Sequence, residues 1–316
     1  MNFGRVIKKE IVEKGFKDKC CKKAFLSGLI RGAGMLYEQD GEIGLDIPLL
    51  DEETATLVSG YFLNLFGYEI REFSAYGDKL NKRDVFLISI KGEKGLFILN
   101  ELGILISDGE EYSVNMKIFG DINKKECCLR AFMKGLFTAS GSCTVPSLNG
   151  VEQTGYHIEL SFYHAETASE INGKLANSGI IAKIMRRKDR YIVYLKAAED
   201  ISNFLAFIGA SRSALTLTDI IIAKEITNTS NRRTNCDLAN LEKQVSASQK
   251  QIKAINKIFA LKGENYLKQD LLTVAKARID NPEETLSELA TRLNVSKSCL
   301  NHRLRKILLV AEKLGE

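Results

Sequence analysis

The first two thirds of the chain contain one segment twice. The stretch CCKKAFLSGLIRGAG at residues 20–34 returns as CCLRAFMKGLFTASG at residues 127–141, at a constant offset of 107. Further along each copy, Glu53–Ala55 returns as Glu166–Ala168. A repeat of about a hundred residues is far longer than a solenoid unit. The duplication therefore predicts two copies of a small half-domain.

Hydrophobic periodicity and turn signals predict the same order of elements in both copies. In the first copy, the pattern predicts helices over 20–33, 52–66 and 94–105, a hairpin turning at Asp40–Gly41, and strands over 68–76 and 84–91. In the second copy, the pattern predicts helices over 125–139 and 165–177, and strands over 156–163, 180–187 and 190–197. Helices and antiparallel strands in this order indicate an α+β fold with αββαββα halves.

The opening helix of each copy carries small residues four positions apart. These are Gly28 and Gly32 in the first copy and Gly135 and Ala139 in the second. Interior glycine costs a helix about 1 kcal/mol relative to alanine, but a stripe of small residues lets two backbones approach closely. We expect the two helices to pack against each other along a pseudo-twofold axis. The alternative is that each stripe packs on the sheet of its own half.

Residues 26–34, LSGLIRGAG, resemble the LAGLIDADG motif of the homing endonucleases, and residues 133–141, MKGLFTASG, resemble it more loosely. The resemblance implies two αββαββα halves that join through these helices into a saddle. It also implies that an acidic residue at the foot of each helix holds the divalent metal ion for phosphodiester cleavage.

The acidic positions of that motif are not acidic here. The metal-holding positions fall on Ala33 and Ser140, and the other aspartate of the motif falls on Arg31 and Thr138. Mg²⁺ needs carboxylate ligands, and two-metal cleavage needs them placed symmetrically. We therefore expect a protein that has lost cleavage.

Composition excludes several other classes of function. Hydrophobic residues make up 45% of the 316 residues, as in a core-forming globular protein. There is no apolar run long enough for a membrane helix and no apolar signal segment at the start, so we expect a soluble, cytoplasmic chain. The three histidines, His157, His164 and His302, are too dispersed for a histidine-based metal centre.

Seven cysteines are an odd number, and four of them form the adjacent pairs Cys20–Cys21 and Cys127–Cys128. This pattern matches neither a disulfide framework nor the usual C-x-x-C zinc spacing. Reduced thiols, with no metal and no cofactor, are therefore expected.

Positive charge is concentrated at the C-terminal end. Residues 246–316 carry 13 Lys and Arg against 8 Asp and Glu, whereas residues 1–210 carry 27 against 28. A basic tail on a near-neutral body suggests that the tail meets a polyanion. A solvated, Lys-rich helical surface is the alternative.

Two smaller basic groups are candidates for auxiliary DNA contacts. Arg186, Arg187, Lys188 and Arg190 lie at a predicted hairpin tip, for which a solvated turn is the favoured interpretation, and Arg232 and Arg233 lie in the Asn-rich segment 231–243. Repeated Asn with Asp suggests that side-chain hydrogen bonds fix this segment in an irregular conformation.

The C-terminal residues predict a helix-turn-helix. Thr285 followed by Glu288 forms a capping box for one helix. In the short turn that follows, Asn294 suits the left-handed region and Ser296 suits the N-cap of the next helix. An ordinary helical hairpin that packs on the body is the alternative.

In the second helix, a rotation of about 100° per residue puts Leu300, Leu304 and Ile307 inside and a polar, basic face outside. Such a face suits the major groove of DNA, where amides and guanidinium groups reach base edges and lysines neutralise phosphates. The predicted DNA-binding residues are Lys297, Ser298, Asn301, His302, Arg303, Arg305 and Lys306.

The degenerate duplication, the NRRTNCDLAN segment at 231–240 and the terminal helix-turn-helix together resemble the WhiA family of bacterial DNA-binding regulators over essentially the whole chain. The resemblance implies binding of double-stranded DNA chiefly through the helix-turn-helix. It implies a nucleoid-associated role in transcription linked to sporulation, or in cell division and chromosome segregation. The transcription machinery or another regulator is a further candidate partner.

The predicted organisation is a LAGLIDADG-like domain over 1–210, with repeats at about 20–105 and 127–210, an Asn-rich linker over 211–245 and a helix-turn-helix domain over 246–316. Two other functions stay open. One is a metal-dependent endonuclease with the surrogate acids Glu38, Asp40 and Glu42. The other is an interaction module that binds a ligand or protein and regulates the tail.

Overall fold

The chain divides into two compact units, residues 1–224 and 225–316. The computed structural model describes residues 2–39, 41–70, 74–78, 83–108, 111–115, 117–118, 120–147 and 155–314. The domain boundaries expected at residues 210 and 245 stay a prediction. Within the described part of the chain, no helix has both the length and the apolar character needed to cross a bilayer.

The first copy of the repeat has the predicted order of elements. It consists of α2 (Lys19–Ala33), β1 (Met35–Gln39), β2 (Glu42–Leu49), α3 (Glu52–Phe66), β3 (Ser74–Asp78), β4 (Arg83–Ile90) and α4 (Gly92–Glu101). Its strands form an antiparallel sheet in the order β1-β2-β4-β3. Gln39 pairs with Glu42, which confirms the tight hairpin, and Gly41 has a φ of +78°. Asp40 itself lies outside the described residues.

The second copy repeats this arrangement. It consists of α5 (Glu126–Ser140), β7 (Gly141–Thr144), β8 (His157–Phe162), α6 (Ala165–Asn177), β9 (Lys183–Arg187), β10 (Arg190–Leu195) and α7 (Ala198–Phe207). Its sheet has the matching order β7-β8-β10-β9, again antiparallel. The α+β fold with two αββαββα halves is therefore confirmed.

Several elements of this unit were not predicted. Helix α1 (Phe3–Lys14) buries Phe3, Ile7 and Ile11, and β7 is the short partner of β8. The strands β5 (Leu105–Asp108) and β6 (Glu111–Val114) form a separate hairpin. The predicted helix over 94–105 ends earlier because Gly103, at a φ of +64°, turns the chain into β5.

The two repeated helices α2 and α5 pack directly against each other at their glycines. A Cβ atom added to Gly28 would lie 2.1 Å from the carbonyl oxygen of Phe132, and one added to Gly135 would lie 2.1 Å from that of Phe25. Real Cβ atoms do not approach other atoms so closely, so these positions require glycine. The predicted packing along a pseudo-twofold axis is confirmed, and packing of each stripe on its own sheet is not what occurs.

The second unit is helical. Its elements after α8 (Ser211–Lys262) are α9 (Gln269–Asp280), α10 (Leu286–Arg292) and α11 (Lys297–Lys313). They enclose a separate apolar core that consists of Ile255, Ile258, Val274, Ala275, Leu289, Leu300, Leu304 and Ile307, with smaller contributions around them. The small all-α helix-turn-helix part of the predicted fold is confirmed.

The Asn-rich segment 231–243 is helical and belongs to α8, and the division between the two units falls inside the same helix. The prediction of an irregular segment was wrong. Its polar side chains are exposed, and Arg232 and Asn240 hydrogen-bond residues four positions earlier, at 3.3 Å to the Asn228 carbonyl and 3.7 Å to Cys236 Sγ. They therefore follow the helix and do not compete with its backbone hydrogen bonds.

We predict that Gly28→Ala lowers the free energy of unfolding by about 1–3 kcal/mol or more, because the added methyl group overpacks the contact with Phe132. Gly60→Ala is the matched control, since Gly60 lies in α3 with nothing within 4 Å of an added Cβ, and it should stabilise by about 0.5–1 kcal/mol. Urea unfolding followed by circular dichroism measures both. Equal stability of the two variants would contradict the packing argument.

Candidate nucleic-acid interface

The turn between α10 and α11 has the predicted local conformation. Asn294 adopts a φ of +51°, in the left-handed region that asparagine tolerates better than most residues. Ser296 then caps α11, because its hydroxyl accepts a hydrogen bond of 3.2 Å from the Cys299 backbone N–H. Only Leu293–Ser296 separate the two helices, so their relative direction is set by this turn.

The start of α10 is held by the predicted capping box. The Thr285 backbone N–H donates to Glu288 Oε2 at 2.7 Å, and the Glu288 backbone N–H donates to the Thr285 hydroxyl at 3.2 Å. Each bond satisfies a backbone donor that the first turn leaves unpaired. The helix therefore begins at a defined residue.

A buried arginine fixes the loop that leads into α10. Arg278 is 1% exposed, and its Nη1 donates to the carbonyl oxygens of Glu284 at 2.9 Å and Asn281 at 3.3 Å. Burial lowers the pKa of Arg278, and the Glu284 carboxylate partly offsets this effect. Glu284 in turn accepts a hydrogen bond of 3.0 Å from Arg292 Nε. The loop before α10 is thus tied to both α9 and α10.

The predicted inner and outer faces of α11 are observed. Leu300, Leu304 and Ile307 are at most 1% exposed and pack into the core of the second unit. The exposed residues of the predicted interface are Lys297, Ser298, His302, Arg305 and Lys306. Polar and basic side chains therefore cover the surface opposite the core.

Two of the predicted interface residues are partly covered. Asn301 is half-buried, and Arg303 Nε lies 3.9 Å from Asp270 Oδ2 on α9. Arg303 therefore has an acidic neighbour within the unit, whereas Lys297, Arg305 and Lys306 form no ion pair with any other residue that the structure describes.

The first turn of α11 contains no acidic residue and begins with Lys297. A helix N-terminus carries a partial positive charge from its unpaired backbone N–H groups, which usually favours acidic side chains nearby. Here a basic side chain adds to that field. This end of the helix consequently favours an external anion, such as a phosphate.

The basic hairpin of β9 and β10 is largely engaged with its own sheet. The Arg190 guanidinium lies 3.6 Å from the ring centroid of Tyr163, and Arg187 Nη1 lies 3.4 Å from Glu159 Oε2. Arg186 donates through Nε to the Lys188 carbonyl at 3.4 Å, within the turn where Lys188 has a φ of +53°. These contacts stabilise the hairpin and its own sheet, which is the behaviour expected of a solvated turn.

Arg232 and Arg233, the other auxiliary candidates, lie exposed on α8. The structure therefore places them on a regular helical surface and not in an irregular loop.

The positions that hold metal in the LAGLIDADG endonucleases do not fit a divalent cation here. Ala33 has no ligand atom, and the Ser140 hydroxyl donates to the Leu136 carbonyl at 3.2 Å. Among the described residues, the one group of three or more potential metal-ligating side chains consists of four cysteines at the other ends of these helices. No cleavage step through a metal at the helix feet can be derived.

In the first motif, Arg31 stands at the position of the other aspartate of LAGLIDADG. Arg31 Nη2 donates to the carbonyl oxygens of Gly103 at 2.6 Å and Lys117 at 3.1 Å, and Nη1 donates to the Ser27 hydroxyl at 2.5 Å. Burial lowers the pKa of Arg31 to about 10, an effect that the Glu170 carboxylate partly offsets. The cation thus serves to tie backbone segments together.

Models of three domain families match this chain. The WhiA N-terminal LAGLIDADG-like domain matches residues 19–105, the WhiA LAGLIDADG-like domain matches residues 129–227, and the WhiA C-terminal HTH domain matches residues 230–311. A probable cell division protein WhiA from Caldicellulosiruptor saccharolyticus is 34% identical, over 99% of this chain and 96% of that protein. This chain belongs to the WhiA family.

Other relatives agree with this assignment. A probable cell division protein WhiA from Bacillus subtilis strain 168 is 34% identical over 99% of this chain and 97% of that protein. The crystal structure of full-length DUF199/WhiA from Thermatoga maritima covers 97% of this chain and 96% of its own, with a TM-score of 0.56 and 23% sequence identity. That likeness supports the WhiA fold.

We predict that Arg278→Met loosens the helix-turn-helix of this WhiA family member, because the carbonyls of Asn281 and Glu284 lose their buried donor, at a cost of about 1–3 kcal/mol. Lys276→Met is the control on the same helix, since Lys276 is exposed and forms a surface pair with Glu264. Hydrogen exchange followed by mass spectrometry should show faster exchange over 281–299 in Arg278→Met alone. Unchanged exchange there would remove the anchoring role of Arg278.

Proposed function

We propose that this chain is a non-enzymatic regulator that binds double-stranded DNA through the outer face of α11. The observation that carries the proposal is the exposed basic face, Lys297 to Lys306, on the capped second helix of a helix-turn-helix. Membership of the WhiA family, with its C-terminal HTH domain matched at 230–311, supports it.

The residues of this face divide by chemistry into two roles. Arg305, Asn301 and His302 carry planar donors and acceptors that suit base edges in the major groove. Lys297 and Lys306 carry point charges that suit phosphates, together with the N-terminal end of the helix. Binding should therefore weaken steeply as salt rises, because each neutralised phosphate releases counterions.

Loss of cleavage belongs to the same proposal. Where the endonuclease motif has acidic residues, this chain has Ala33, Ser140 and Arg31, and Arg31 forms hydrogen bonds with backbone carbonyls. The surrogate acids Glu38 and Glu42 are exposed on the β1–β2 hairpin, while Asp40 lies outside the described residues. A hairpin position does not place carboxylates at the helix feet, where they would have to hold the metal ion beside a scissile phosphate.

The finer biological role is also a proposal. Relatives at 34% identity are named probable cell division proteins, and this supports a role for the chain in cell division. We extend the proposal to chromosome segregation and to transcription linked to sporulation. Such a protein acts in the cytoplasm, at the nucleoid. The basic groups at Arg186–Arg190 and Arg232–Arg233 are proposed as auxiliary contacts to DNA, and the transcription machinery or another regulator as a further partner.

In the test, this protein first enriches DNA duplexes from a random library. Fluorescence anisotropy then measures the binding of the protein to these duplexes over a range of salt concentrations. Arg305→Ala should cost about 1–3 kcal/mol and relax preference at one base position. Lys297→Ala should weaken binding to all duplexes and reduce the salt slope by about 1. Lys313→Ala is the control, because it removes an exposed positive charge from the last turn of the same helix.

Unchanged binding of a variant with both Arg305→Ala and Lys297→Ala would overturn the interface. Supercoiled plasmid and enriched duplexes should also stay intact with Mg²⁺ or Mn²⁺. Reproducible nicking that Glu38→Gln abolishes would overturn the non-enzymatic part of the proposal.

A further inference from the structure

Four thiols that the sequence separates into two pairs meet in the folded chain. The Sγ atoms of Cys20, Cys21, Cys127 and Cys128 all lie within 4.8 Å of one another. Each pair occupies the second and third positions of its helix, α2 or α5. No disulfide joins them, and the distance between Cys127 Sγ and Cys128 Sγ is 4.0 Å.

The helix pairing explains why these thiols meet. Gly28 and Gly135 bring the backbones of α2 and α5 into contact, and equivalent residues of the two copies therefore face each other across the pseudo-twofold axis. The cysteine pairs lie two turns before those glycines in both helices. The same duplication that repeats CC in the sequence thus places all four thiols at one point.

The spacing of the sulfur atoms suits a tetrahedral metal ion. Zn²⁺ binds thiolate sulfur at about 2.3 Å, which places the four sulfurs of a tetrahedral site about 3.8 Å apart. The largest distance between two of these sulfur atoms is 4.8 Å, so side-chain rotations that move the sulfurs by about 1 Å bring all four to tetrahedral spacing. Four thiolates also form the donor set that selects zinc over Mg²⁺ or Ca²⁺.

The helix ends beside the cluster favour the negative charge of a tetrathiolate, against the effect of burial, which raises the pKa of Cys21 and Cys128. Two helix N-termini converge on the cluster, and each contributes a partial positive charge. Cys21 and Cys128 are buried, at 7% and 0% exposure, while Cys20 is half-buried and Cys127 is exposed. A cavity of about 290 Å³ lies beside the cluster, and Cys20, Cys128 and Lys23 help to line it.

We propose that Cys20, Cys21, Cys127 and Cys128 bind one Zn²⁺ ion, which links the N-terminal ends of α2 and α5. Four Zn–S bonds form, the thiols release their protons to solvent, and no electron is transferred. The ion has a structural role because all four positions are filled by protein, which leaves none for water or substrate. This site is independent of the proposed DNA interface, and either can fail without the other.

The first test measures the metal content of the full chain, purified without chelator and kept reduced with a phosphine. Mass spectrometry of the metals should find one zinc per chain. Titration of the metal-free protein with Co²⁺ should give the intense visible bands and the near-ultraviolet sulfur charge transfer that mark a tetrahedral tetrathiolate. Zinc-free protein that also gives no such bands would overturn the proposal.

Variants then assign the ligands. Cys20→Ser and Cys127→Ser change the two more exposed members, so the helix core stays intact, and each should lose the tetrathiolate spectrum. Cys236→Ser, an exposed cysteine on α8, is the control and should keep it. Chelation should lower the Tm of the control and leave unchanged the Tm of a variant that carries both Cys20→Ser and Cys127→Ser. Equal metal binding in all the variants, or disulfides within the cluster in place of metal, would overturn the assignment.

Discussion

The contact on which the first unit depends is the backbone approach between α2 and α5. At Gly28 and Gly135 a single methyl group would fall 2.1 Å from a carbonyl oxygen of the opposite helix, so the two halves join at a distance that only glycine permits. Both sheets and both ends of the helix pair are placed by this contact. Since it involves no charged side chain, the small residues and the acidic residues of the endonuclease motif are separate requirements. Here the packing requirement has been kept and the acidic one lost.

The replacement at Arg31 shows how a former acidic position is reused. A carboxylate there would face the carbonyl oxygens of Gly103 and Lys117, which are hydrogen-bond acceptors, and would be repelled by them. A guanidinium supplies several donors in one plane and fits such a group of acceptors. The segments near the β5–β6 hairpin are thereby attached to α2. This contact is structural in character and leaves the helix foot without the negative charge that cation-dependent cleavage requires.

Local signals in the sequence predicted much of the fold, because caps, turns and periodicity act over a few residues. The Thr285 capping box, the left-handed Asn294 and the inward face of α11 follow from such signals. Helix α1 was not predicted, although Asn2 caps it and Phe3, Ile7 and Ile11 keep one apolar face. Strand β7 was not predicted because it is four residues long and becomes a strand only by pairing with β8. The meeting of the cysteine pairs depends on contacts between residues distant in sequence. No spacing rule detects a group of thiols whose two halves lie 107 residues apart.

The two copies of the repeat are covalently joined, and this has allowed them to differ. Arg31 of the first copy extends over the ring of Phe132 in the second, whereas the equivalent position of the second copy is Thr138, which hydrogen-bonds Lys134 of its own helix. In a homodimer of half-domains, every substitution would occur twice, and a bulky cation would have to be accommodated on both sides of the axis. Gene fusion removes that constraint, so one half can acquire a new anchor while the other keeps a small, neutral residue.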